Sequence, residues 1–201
     1  MRREQLAIVS ACLTAICVVP YLRDVYRGTT RPQRASWFVF CSLAVVAAVS
    51  QVVEGAGAGA LLATGSAIGF TAVFLASIRR GVGGTSRWDV GALALATIGV
   101  VLSVLADEPM IALVAVIVAE LAAVALTAHK ALRQPHTETL ATWMIDCVAG
   151  VLAIVAVSEV HVDQLLYPVH HALANAAVVL AIALGRRQAG GSTLTVPTGG
   201  R

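Results

Sequence analysis

Apolar residues in this chain come in long runs, separated by short polar clusters. Seven runs, at 5–22, 36–53, 57–78, 89–106, 110–128, 140–158 and 164–185, approach the roughly 20 residues that an α-helix needs to cross a bilayer. Ala and Val dominate them, and none alternates with period two. Helices are therefore expected rather than the strands of a lipid-facing barrel. The interruptions carry turn chemistry: Arg27-Gly-Thr-Thr-Arg-Pro, Arg79-Arg-Gly-Val-Gly-Gly, Asp107-Glu-Pro and Arg133-Gln-Pro. The stretch 188–201 is rich in Gly, Ser and Thr and is expected to be disordered.

Composition turns this pattern into a class. Of 201 residues, 58% are apolar and 12% are charged. A single soluble core of this size lacks the volume to hide so much aliphatic surface. The reading is an all-α integral protein of the cell membrane, with the lipid bilayer as its first partner. A net charge of +3 offers no basis for a nucleic-acid partner. Four cysteines at 12, 17, 41 and 147 fall inside apolar runs, where packing is expected rather than a disulfide framework. Val9-Ser-Ala-Cys12 resembles a lipid-attachment box, but the apolar run before it is too short for a signal peptide and continues past it.

The charges are segregated. Arg23, Arg27, Arg31 and Arg34 follow the first run, Arg79, Arg80 and Arg87 the third, Lys130 and Arg133 the fifth, and Arg186 and Arg187 the last. The alternate exits carry only acids: Glu54, then Asp107 and Glu108, then Glu159 and Asp163. Lys and Arg resist translocation, so seven crossings are expected, with the N-terminus outside and the C-terminus cytoplasmic. Arg2 and Arg3 oppose this and are outvoted by the next loop.

A shift of 106 residues lays 23–52 over 129–158 without a gap. It pairs Arg27 with Arg133, Trp37 with Trp143 and Cys41 with Cys147, all scarce residue types in this chain. The offset joins runs separated by an even number of crossings, so the halves are parallel repeats. The layout expected is two parallel three-helix bundles plus a linker helix (3+1+3). The first bundle covers 1–80, the linker 81–108 and the second bundle 109–187.

With that plan, the segment Val19-Pro20-Tyr21-Leu22-Arg23-Asp24-Val25-Tyr26 resembles the Pro-Gln signature of the SWEET and PQ-loop superfamily of small membrane transporters. Tyr21 stands where Gln is expected, and Leu126 where the second unit would have its proline; Pro32-Gln33 lies in a loop and is not the motif. The resemblance implies alternating access between the bundles, a hinge at Pro20, and a cytoplasmic gate at Tyr21, Arg23 and Asp24. It implies a small polar solute, a sugar in the family, and no cofactor. An asparagine in the third helix of a SWEET unit lines the pocket, and Asn175 occupies that helix, opposite Gly69 in the first unit.

Ionisable residues inside a span cost about 2.5–3.5 kcal/mol each on insertion scales, so they need a reason to be there. Glu120 sits mid-run in the fifth segment, Asp146 in the sixth, and His170, His171 and Asn175 in the seventh. One reading makes Glu120, Asn175, His171 and Asp146 the wall of a solute pocket, with Glu120 as a site for proton coupling. The other has them bonding one another and stapling the bundle. Lys130, Arg133 and the arginines after the first run read as positive-inside anchors, and Tyr26, Trp37 and Trp143 as interfacial belt residues. An Arg23–Asp24 pair reaching the second unit would form a gate.

His161, Asp163, His170 and His171 are the candidate metal cluster, but adjacent histidines point to different sides of a helix. No metal and no catalytic residue are assigned, and the protein is read as not an enzyme. The alternatives to transport are a non-transporting subunit or receptor-like module and, behind it, a membrane-embedded metal hydrolase. Gly65-x-x-x-Gly69 offers close helix approach, within the bundle or in an oligomer.

Overall fold

The computed structural model describes residues 2–53, 55, 58–158 and 161–191. They form α1 (Arg3–Ile16), α2 (Val18–Tyr26), α3 (Arg34–Val53), α4 (Ala58–Arg80), α5 (Arg87–Leu105), α6 (Pro109–Arg133), a 3-10 turn (Pro135–Thr137), α7 (Leu140–Ala156) and α8 (Val162–Gly191). Among the described residues the only extended pairing is an isolated parallel bridge between Gln33 and Val82. The all-helical, multi-pass character expected from the apolar runs holds. Among the described residues six helices are long and apolar enough to cross a membrane: α1 with α2 taken together, α3, α4, α5, α6 and α8.

Three expectations change. The run 5–22 is two helices meeting at Cys17, because Pro20 supplies no N–H and its ring crowds the carbonyl one turn back. The run 140–158 yields a helix of 17 residues ending at Ala156. At 1.5 Å per residue that is about 26 Å, short of a hydrocarbon core of about 30 Å. Gln188 to Gly191, expected to be disordered, continue α8, and 192–201 lie outside the described residues.

The helices pack in a reciprocal order. Among the described residues, α4 packs against α1, α2 and α3, and α8 against α6 and α7, while the backbones of α1 and α3, and of α6 and α7, stay apart. Between these groups α1 and α2 lie on α7, and α3 lies on α6; α5 packs on α6 and α3. Polar atoms mark both seams. Ser10 Oγ donates to the Ala149 carbonyl across α1–α7 at 2.7 Å, and Ser36 Oγ to the Ala123 carbonyl across α3–α6 at 2.7 Å. With lipid outside, such bonds and close packing hold helices together where water-driven association is absent.

Local chemistry sets the helix ends. Ser86 caps α5 by accepting from the Asp89 amide, and Asp89 Oδ2 accepts from the amides of Ser86 and Gly84. Gln33, set aside above as a loop residue, is buried. Its Oε1 accepts from the Ser36 amide at 2.8 Å to cap α3, and its Nε2 donates to Asp89. Gly28 ends α2 at φ +77°, a conformation side-chain-bearing residues rarely adopt. Of the two glycines expected to offer a groove, only Gly69 meets a neighbour: a Cβ there would come 2.6 Å from Val18 Cγ2, whereas Gly65 faces open space. All four cysteines are free.

Candidate functional site

A cavity of about 470 Å³ lies between the two helix groups. Its walls come from late α3 (Ser50, Gln51), early α4 (Ala63, Ser66), the end of α5 (Ser103), the first half of α6 (Ala112 to Glu120) and early α8 (Tyr167, His171). These are the helix ends remote from the basic loops, and Thr14 of α1 and Glu120 mark its depth. Among the described residues no Lys or Arg lines it.

Glu120 projects into this cavity from the middle of α6 and is held by α8. His170 Nε2 lies 3.2 Å from Glu120 Oε2, and His171 Nδ1 lies 3.8 Å from Oε1. The adjacent histidines, expected to diverge, thus both reach one carboxylate. On its other side His171 Nε2 lies 3.2 Å from Asp146 Oδ1 on α7, and Thr14 Oγ1 donates to the same oxygen at 2.8 Å. Neither ring nitrogen of His171 forms a well-aligned hydrogen bond, so its contacts with the two carboxylates are electrostatic in the main. Tyr167 stacks on the His171 ring at 5.9 Å between centroids. The result is a file of polar groups, Glu120–His171–Asp146–Thr14, in which all but Asp146 line the cavity and Thr14 ties it to the seam between α7 and α1.

Of the four residues expected in a pocket, Glu120 and His171 line the cavity, Asp146 stands behind His171, and Asn175 is elsewhere. Its Nδ2 donates to the His171 carbonyl one turn back at 2.9 Å, and its side chain is absent from the cavity wall. The imidazoles of His170 and His171 are engaged by carboxylates, the Asp163 side chain lies outside the described residues, and among the described residues no three His, Cys, Asp or Glu side chains are arranged to hold a metal.

Towards the basic loops the cavity ends on an aromatic floor. Phe40 and Phe70 line it, and Trp37 packs edge-on against both at 5.6 and 5.8 Å. Beneath them Tyr21, fully buried, lies 4.6 Å from the Trp37 ring and 6.4 Å from that of Trp143. Trp37 and Trp143, expected at the membrane interface, are 2% and 5% exposed. Each indole N–H has an internal acceptor: Trp37 Nε1 donates to the Tyr21 hydroxyl at 3.1 Å, and Trp143 Nε1 to Glu138 Oε2 at 3.1 Å. Satisfied indoles can leave the interface; unsatisfied ones cannot.

Below this floor lies an ion pair that the sequence reading missed. Lys130, read as an anchor, is buried, and its Nζ lies 2.7 Å from Glu138 Oε1. It also donates to the carbonyls of Thr137, at 2.8 Å, and Arg31. Tyr21 donates to the same Glu138 oxygen at 3.4 Å. Asp24 reaches the second half of the chain through Thr139, whose Oγ1 donates to Asp24 Oδ2 at 3.0 Å, and Thr139 in turn meets Thr30 at 2.7 Å. The Arg23–Asp24 pair exists at 2.9 Å, but between neighbours on α2, and Arg23 points to solvent. Tyr26 is exposed beneath the Arg80 guanidinium and takes no part in the closure. The sequence shows only a Lys and a Glu eight residues apart across a Pro-containing turn, a spacing that does not reveal their burial.

Neither a family model, a curated protein nor a solved structure matches this chain.

Proposed function

We propose that this protein is a transporter of a small polar solute, working by alternating access between two three-helix units in the manner the SWEET and PQ-loop resemblance implies. The observation that carries the reading is the cavity: polar groups at its wall, and a buried aromatic and ion-paired layer closing its far end. A bundle held together by polar staples alone needs no such volume.

The reciprocal packing supports a 3+1+3 layout. The third helix of each unit (α4, α8) lies between the other two, the first of one unit faces the second of the other, and α5 is the linker. Under this reading the shorter α7 also crosses, as the sixth of seven spans, the N-terminus is outside, and the basic loops with the closed layer face the cytoplasm. The molecule then stands open outwards. Pro20 lets α2 move separately from α1, carrying Tyr21 and Asp24 away from Glu138 and Thr139. Glu120 and His171 bind solute, and Asp146 orients His171. Nothing in this reading requires catalysis or a cofactor. Gly69, engaged with Val18, serves packing inside the unit; Gly65 remains the open position for an oligomer contact.

Uptake of labelled sugars, polyols and amino acids into proteoliposomes tests the reading, using a Thr30→Cys/Thr139→Cys pair to lock the closed layer. The two hydroxyl oxygens are 2.7 Å apart, so the two side chains already face each other. Oxidation stops uptake and reduction restores it, while protein with the native cysteines alone does not respond. Uptake that persists after oxidation, or a panel in which nothing enters beyond empty liposomes, overturns the proposal.

A further inference from the structure

The C-terminal ends of α2 and α4 lie side by side, tied by Arg80, whose Nη1 donates to the carbonyls of Val25 at 3.1 Å and Tyr26 at 2.7 Å. Two hollows flank this tie and share Arg79 and Arg80 as their common wall. One, of about 400 Å³, is polar and includes Thr30 and Arg31. The other, of about 620 Å³, runs along the exposed side of α4, where Leu75 and Ile78 form an apolar wall beside Tyr26 and the two arginines. Leu75 and Ile78 are exposed at 57% and 54%.

The charge in this groove is uncompensated. Neither hollow has a carboxylate on its lining, and Asp24, on the adjoining turn of α2, is committed to Arg23 and Thr139. Arg31 and Arg79 are exposed, and neither forms an ion pair among the described residues. The backbone amides nearby are already used: those of Thr29 and Thr30 by the Asp24 carbonyl, that of Gly81 by Ser77, and that of Val82 by Pro32. An anion here would be held by guanidinium forks, which suit phosphate oxygens.

We propose that this groove binds one anionic phospholipid, its phosphodiester between Arg31 and Arg79 and an acyl chain over Leu75 and Ile78. A cationic compartment continuous with an exposed, apolar-walled one fits a molecule that has both parts, and a free phosphate uses only half of it. The site lies at the end of α4 remote from the cavity and does not depend on the transport reading.

Native mass spectrometry of the full chain in detergent, titrated with dioleoyl phosphatidylglycerol, tests this against phosphatidylcholine and inorganic phosphate. Wild-type protein retains one phosphatidylglycerol in preference to phosphatidylcholine. The Arg31→Gln/Arg79→Gln pair weakens retention roughly 25-fold, about five-fold for each arginine near a membrane surface. Both side chains are exposed, so the variant folds, and circular dichroism checks it. Leu75→Trp, which fills the apolar-walled hollow and spares both arginines, also weakens retention. Arg186→Gln/Arg187→Gln, at the same end of the molecule on α8, leaves retention unchanged. Equal retention of phosphatidylcholine, an equal loss in the Arg186/Arg187 variant, no effect of Leu75→Trp, or inorganic phosphate competing at the concentration of the lipid each overturns the proposal.

Discussion

Tyr21 and Glu138, 117 residues apart in the chain, meet hydroxyl to carboxylate at 3.4 Å, and Glu138 also takes the ammonium of Lys130 and the indole N–H of Trp143. One buried carboxylate therefore collects a cation and two aromatic donors from three segments. Glu138→Ala leaves the Lys130 ammonium buried without its partner, a change that costs about 3–5 kcal/mol. A Lys130→Met/Glu138→Leu double variant, which removes both charges, recovers most of that loss. Thermal unfolding in detergent micelles reads both outcomes; a Glu138→Ala protein as stable as wild type shows that the pair contributes nothing.

The contrast between Trp143 and Lys130 explains what was legible beforehand. The apolar runs located the helices, since length and hydropathy act locally, but not the break at Cys17 or the polar C-terminal turns of α6 and α8, which run past the apolar stretch. Scarcity in an Ala- and Val-rich chain drew attention to Trp37 and Trp143 through the 106-residue offset, yet placed them at the interface. Tryptophan sits there by default, and the acceptors that draw it inward lie on distant segments. Lys130 looked like an anchor beside His129 and Arg133 because burial is decided by Glu138, eight residues on and past a 3-10 turn. Glu120 and His171 were visible as costly intramembrane groups. Asn175 is polar but uncharged and bonds the carbonyl of its own helix, which periodicity cannot distinguish from facing a cavity.

Glu120→Gln removes the charge that both α8 histidines face while keeping the side-chain shape. Uptake in proteoliposomes falls at least ten-fold, and any response of the wild type to an imposed pH gradient disappears in the variant. A rate equal to wild type sinks a coupling role for Glu120.

Asn175→Ala separates the expectation from family resemblance from the geometry. Its amide bonds the His171 carbonyl and does not reach the cavity, so uptake stays within about two-fold of wild type. Stability falls by about 1 kcal/mol for the lost hydrogen bond. A collapse of uptake with stability intact would return Asn175 to the pocket.

Thr127 and Thr142 are the offset counterparts of Tyr21 and Ser36, but their buried hydroxyls have no partner among the described residues. Thr127→Val and Thr142→Val remove an unsatisfied oxygen at constant shape. Each leaves the unfolding temperature unchanged or raises it, by up to about 1 kcal/mol of stability. Ser36→Ala, which breaks the α3–α6 bond, lowers stability by about 0.5–1.5 kcal/mol. The reverse order would show that the two threonines are satisfied in solution.

Gly69→Ala drives a methyl into Val18 and costs about 1–3 kcal/mol through overpacking, while Gly65→Ala, with open space ahead of it, stays within about 0.5 kcal/mol. Unfolding of the two variants side by side checks the difference.

The break at Cys17 makes α2 a short arm. Its nine residues span about 14 Å, so each degree of rotation at the break displaces its tip by about 0.2 Å. Lengthening the Thr139–Asp24 contact from 3.0 Å to beyond hydrogen-bonding reach takes about 3° of swing, far less than a proline kink commonly supplies. Leverage, rather than wholesale tilting of a long helix, sets how little motion would unseal this end of the molecule.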